Sequence, residues 1–168
     1  MQYLNALLAE QANIVAFAPI DLAAASGLAT PWLSLKNYAR ATIVLIKGAG
    51  NAVEDPALTF LQATDIAGAG SKALATITRI DKKQHATTLE TQGTWTQVAQ
   101  AAAGAFVGDG ELQAIYAIDV KAEDLDQDNG FDCFRVTIAD VGTTAQLGCL
   151  FALLWGPRYA PPVTPLTN

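Results

Sequence analysis

An all-β fold, an antiparallel jelly-roll-like sandwich with extended arms at both ends, is what this sequence predicts. Three observations carry the prediction. Short β-branched and aromatic runs recur at regular spacing. Gly-, Asn- and Asp-containing turn signals separate them. No 10–15-residue amphipathic helix lies between them, which disfavours a parallel βαβ arrangement.

The elements follow in order from residue 32. Leu33, Ser34 and Leu35 alternate. Residues 42–46, with Ile43, Val44, Leu45 and Ile46, form a continuous apolar run and read as a strand buried on both faces. Gly48 to Asn51 is a turn. Leu58, Phe60 and Gln62 share one face of the next strand, with Thr59, Leu61 and Ala63 on the other. Residues 68–71 form a second turn, and 74–80 another strand. Residues 95–99 are a further strand.

The clearest period-two pattern places Leu112, Ala114, Tyr116, Ile118 and Val120 on one face, with Gln113, Ala117, Asp119 and Lys121 opposite. Phe134, Val136 and Ile138 alternate with Arg135 and Thr137. Residues 146–155 form the last apolar strand. About eight strands at this spacing suit a sandwich.

The ends read differently. Residues 1–30, with a short helix over 3–12 and a small-residue stretch over 22–30, are expected to form an N-terminal arm or edge segment. Residues 31–156 are the sandwich domain. Residues 157–168, with Pro157, Pro161, Pro162 and Pro165, are expected to be an extended, polyproline-like tail.

Composition bounds the function. The chain has 168 residues, 51% hydrophobic and only 15% charged. Charged residues make up about a quarter of an ordinary domain. A surface short of Lys and Glu is less costly to desolvate, which suits a subunit with large interfaces. Net charge is −6, from 10 basic and 16 acidic residues. Only Lys82 and Lys83 are adjacent basic residues. Nucleic acid and anionic membrane are therefore not expected partners. The N-terminus has no basic n-region and Glu10 interrupts its apolar stretch, so a signal peptide is not expected. The apolar uncharged run 141–157 is broken by Gly and Pro and falls short of the ~20 apolar residues of a spanning helix.

Chemistry-bearing residues are sparse. Cys133 and Cys149 match no metal or redox spacing and read as small buried apolar residues. His85, the single histidine, sits in a polar stretch read as an exposed loop. No nucleophile elbow, Walker loop or dinucleotide fingerprint is present. An enzyme is therefore not expected, and neither is a cofactor.

Residues 123–132 form an acidic segment. Asp124, Asp126 and Asp128 are the candidate metal ligands, because they match the start of an EF-hand loop. The pattern then fails: Asn129 stands where Gly is required and Arg135 where Glu is required. The alternative is a β-hairpin whose turn uses Asp128, Asn129 and Gly130 to reach positive φ. Trp32, Trp95 and Trp155 suit core, interface or sugar stacking. Core is expected for Trp155 and exposure for Trp95.

Several strings resemble small structural proteins of tailed bacteriophages and prophages. They are WLSLKNY (32–38), IVLIKGAG (43–50), DPALTFLQ (55–62), AEDLDQDNGFDCFR (122–135), ADVGTTAQLG (139–148) and PRY (157–159). The resemblance implies a virion protein, assembled in the bacterial host cytoplasm. In particular it implies a cement (decoration) protein that binds the outer head surface as a homotrimer, with the major capsid protein as partner. A tail or neck component, or a jelly-roll glycan-binding module, is the alternative.

Overall fold

The computed structural model describes residues 14–23, 28–86, 94–139 and 141–158. The helix expected over 3–12 and the tail from residue 159 lie outside the described residues.

The chain is an all-β sandwich of two antiparallel sheets. The first sheet is built, in spatial order, from β1 (Ile14–Asp21), β12 (Leu147–Pro157), β4 (Tyr38–Lys47), β10 (Gln113–Lys121), β7 (Ile77–His85) and β8 (Thr96–Ala103). The second contains β2 (Leu28–Ala29), β11 (Cys133–Ile138), β5 (Ala57–Ala63) and β6 (Lys72–Ala73) in that order. Two short strands join it: β3 (Leu33–Ser34) pairs with β11, and β9 (Ala105–Val107) pairs with β5. The chain passes repeatedly between sheets, as from β4 to β5 and from β10 to β11, so most neighbours in a sheet are distant in sequence.

Period-two side chains explain the core. Ala41, Ile43 and Leu45 of β4, and Tyr116, Ile118 and Val120 of β10, point inward and are buried. Leu150, Ala152 and Leu154 of β12 continue that layer. Leu58 and Phe60 of β5, with Phe134, Val136 and Ile138 of β11, oppose them from the second sheet. Phe106 meets Tyr116 edge-on, with ring centroids 5.2 Å apart. That geometry places the positive ring edge against a negative face.

Several expectations change. The run 42–46 is not buried on both faces. Its odd-numbered residues are buried, while Thr42 and Val44 are half-buried and Ile46 is 37% exposed. The second sheet covers only one side of β4. The strand expected over 74–80 begins at Ile77 and runs on to His85, so His85 is not in a loop but pairs with Gln113 of β10. Residues 122–132 do not close a hairpin, because β10 and β11 belong to different sheets. They cross the sandwich instead, in two 3-10 turns, Ala122–Asp124 and Gln127–Asn129. Only Gly130 there has positive φ, at 79°.

The N-terminal boundary also differs. Ile14–Asp21, inside the expected arm, is hydrogen-bonded as the edge strand of the first sheet, antiparallel to β12. Leu22 follows and is buried in the core. A row of backbone groups on β12 is satisfied this way, and β1 becomes the edge of the sheet.

Candidate interaction surfaces

Three regions hold the residues that a function would draw on: the acidic crossing, the loops at one end of the sandwich, and the outer face of the first sheet.

The acidic crossing is pinned by its own side chains. Asp124 accepts the Lys121 amide at 2.9 Å. Asp126 pairs with Lys72 and accepts the Asn129 side-chain amide at 2.9 Å. Those contacts, the Lys72 bond first, hold the Asp126 carboxyl below its usual range. Gln62 accepts the Asp126 amide at 2.9 Å. The Lys72 ammonium also stands 4.1 Å from the Phe131 ring centroid. Asp124 and Asp126 thus serve turn geometry, and Asp128 lies in the second turn. Among the described residues, no group of three or more His, Cys, Asp or Glu side chains is arranged to hold a metal ion.

At one end, the β4–β5, β9–β10 and β11–β12 loops are bound into one block. Lys47 points inward from the end of β4. Its ammonium donates to the carbonyls of Asp109 (2.6 Å), Gly110 (3.1 Å) and Leu112 (2.6 Å). Burial pulls its pKa down to about 8, against the opposing pull of Asp109 and Asp55. Asp55 accepts the Gly110 amide at 2.6 Å. The Tyr116 hydroxyl accepts the Asp109 amide at 2.7 Å. Glu54 accepts the amides of Thr143 (2.8 Å) and Thr144 (2.9 Å) and the Thr143 hydroxyl (3.1 Å). These bonds, the Thr143 amide first, pull the Glu54 carboxyl down to about 2. Such loops are braced from several sides.

The cysteines and tryptophans divide. Cys133 is buried, and burial, aided by neighbouring Asp132, pushes its thiol up to about 12. Cys149 is half-buried on the outer face of β12. Trp95 is 55% exposed. Trp32 carries the Arg135 guanidinium 4.7 Å from its ring centroid. Trp155 is not in the core as expected. It stands on the outer face of β12 opposite Arg40 and is half-buried.

That outer face breaks the ordinary pattern. An antiparallel sheet in a two-layer sandwich presents polar side chains to solvent. The second sheet does so with Thr59, Arg135 and Thr137, beside a single half-buried Leu61. The first sheet instead presents Cys149, Phe151, Leu153 and Trp155 of β12, Val44 and Ile46 of β4, and Ile115 and Ala117 of β10. The register stacks them in rows: Cys149, Ile46 and Ile115, then Phe151, Val44 and Ala117. None belongs to the buried core cluster or packs against it. The same signal was in the sequence, since 43–46 and 149–155 are apolar at both parities. It reads equally as a strand buried between two layers.

No protein-family model matches the chain, and no curated protein matches it. Among solved structures, the chain is similar to the crystal structure of the SPBc2 prophage-derived protein YomS. The TM-score is 0.41 and the identity 8%, over 85% of this chain and 94% of that one. A likeness at that level transfers neither fold nor role. What the structure itself defines is an all-β sandwich with braced end loops and one apolar outer sheet face. Among the described residues no helix is long and apolar enough to cross a membrane.

Proposed function

We propose that this chain is a structural protein of a tailed-phage virion, and within that class a capsid decoration protein. It binds the outer head surface, contacts the major capsid protein, and acts as a homotrimer by packing rather than by catalysis. The resemblance of six sequence strings to small phage structural proteins supports the phage setting. The observation that carries the packing role is the apolar outer face of β12, β4 and β10. Eight contiguous side chains there, from Cys149 to Ala117, gain by leaving water. Apolar burial contributes about 25 cal/mol per Å², from which association costs are subtracted. Held together through that face, a trimer of rigid sandwiches bridges neighbouring capsomers where the shell would otherwise separate under internal pressure.

The test mixes purified protein with expanded capsids. Co-sedimentation and a raised capsid disruption temperature are expected. Failure to bind any head intermediate overturns the decoration role, and labelling of intact particles at the tail or neck reassigns the protein within the virion.

One observation favours a second reading, carbohydrate binding for host adsorption. Trp95, immediately before the edge strand β8, is 55% exposed. Exposed aromatics stack on sugar faces. A glycan screen in which Trp95→Ala loses binding supports it; no binding by the natural chain removes it.

A further inference from the structure

We infer that the outer face of the first sheet is covered by further copies of this chain, with the β12–β4–β10 rows as the centre of the contact. The inference rests on the homo-oligomer reading above and assigns that reading a surface.

Shape comes first. Six strands at about 4.8 Å and about eight residues each at 3.3 Å give a face of roughly 760 Å². A stable interface takes roughly 800 Å² from each partner. The composition is also that of an interface, apolar in the middle and polar at the border. Phe151, Val44, Leu153 and Ile115 occupy the middle. Toward the β7 side and the lower end of β4 and β10 stand Arg79, Asp81, Lys83, Arg40, Asp119 and Lys121.

Charge then selects the occupant. The border is largely neutralised within the chain. Arg40 faces Asp119 at 3.7 Å, Arg79 pairs with Asp81 at 2.9 Å, and Lys121 pairs with Glu123 at 3.2 Å. With Lys83, that is four basic and three acidic groups, or +1. Among the described residues outside this set, ten acidic and six basic groups leave −4. Two copies meeting through other surfaces bring like charges together. Meeting through this face, they bring together apolar rows that carry no charge on β12 at all. Like-charge contacts cost energy and suppress wrong pairings. A strongly acidic or basic partner finds nothing complementary here.

Cys149 is a built-in reporter. It lies in the row with Ile46 and Ile115 and would be covered by the contact, whereas Cys133 is buried in the second sheet, away from this face, in either state. The experiment combines light-scattering mass with the rate of thiol labelling, on the full chain and on Phe151→Asp and Val44→Lys. Both substitutions sit on the outside of the sheet, and circular dichroism checks that each variant keeps its fold. The natural chain is expected at a multiple of 17.6 kDa, with Cys149 labelling at least tenfold slower than in the variants. At least one folded variant is expected to be monomeric. A natural chain that is monomeric at 100 μM concentration overturns the inference. So does an oligomer that survives both substitutions. Capsid co-sedimentation of the same samples separates the two readings. An oligomer that dissolves in Phe151→Asp but never binds capsids leaves this inference standing and removes the decoration role. A monomer that binds capsids through this face does the reverse.

Discussion

The ammonium of Lys47 donates to the carbonyl of Gly110 at 3.1 Å, and Asp55 accepts the Gly110 amide at 2.6 Å. Both backbone polar groups of one glycine are thus held by opposite charges on different strands and loops. Gly110 sits where the β9–β10 loop crosses the β4–β5 loop. The arrangement ties the two loops together at the end of the sandwich.

Lys47→Met keeps the length of the stem and removes all three donors. Carbonyls left without partners in a buried site cost about 1–3 kcal/mol each when nothing replaces the bond. Water reaches part of this loop, so a total loss of roughly 2–4 kcal/mol is expected. Urea denaturation measures it. The pH dependence has a definite sign. The folded-state pKa, about 8, lies below the ordinary 10.5. The unfolded chain therefore binds more protons between those values, and the lysine's contribution to stability rises with pH across that window. The natural chain should gain on Lys47→Met from pH 8 to 10.5. A constant difference would show that the ammonium is not desolvated.

Gly110→Ala tests the close crossing itself. A Cβ at this position would stand 2.3 Å from the Asn51 carbonyl oxygen and 2.7 Å from that of Glu54. Those are backbone atoms and cannot rotate away. A loss of about 2–4 kcal/mol is expected, seen as a fall in Tm of roughly 5–15 °C for a domain of this size. A neutral substitution would mean that the two loops are not in contact.

Glu54 provides an acid-side test. Its carboxyl is held at about 2 by the Thr143 and Thr144 amides and the Thr143 hydroxyl, below an ordinary 4.5. A depressed carboxyl contributes stability that is fully present above 4.5 and is lost as pH falls toward 2. Glu54→Gln should therefore be less stable at pH 7, and the difference should vanish by about pH 2. Exposure of the carboxyl to solvent keeps the effect modest. A difference independent of pH would argue against a charged acceptor.

The acidic crossing predicts its own outcome with calcium. Asp124 and Asp126 already accept hydrogen bonds from Lys121, Lys72 and Asn129. Millimolar calcium should leave Tm unchanged, and Asp126→Asn should lower it in calcium and in chelator alike. A Tm that rises with calcium and loses that rise in Asp126→Asn would make this segment a cation site.

How much of this was legible in the sequence depends on distance along the chain. The alternation of Ala114, Tyr116, Ile118 and Val120 is local, and it predicts the strand and its buried face correctly. Cys133 is buried as read, and Trp95 is exposed as read. The acidic segment misled, because Asp128, Asn129 and Gly130 have turn chemistry whether the chain then turns back or crosses to another sheet. Lys47 and Glu54 gave no signal at all. Their partners lie 62 to 65 and 89 to 90 residues away.

By itself, then, the sequence determined an antiparallel all-β chain and the positions of most long strands. Period-two patterning and turn residues act over a few residues, so they are visible there. Only the tertiary structure decided which apolar parity faces the core. Residues 43–46 and 149–155 are apolar on both sides, and patterning cannot say which side the second sheet covers. That sheet covers Ile43, Leu45, Leu150 and Ala152, and leaves Val44, Ile46, Cys149 and Phe151 facing outward. The reason is physical: one sheet buries one face of another, and the choice is made by strands from distant parts of the chain.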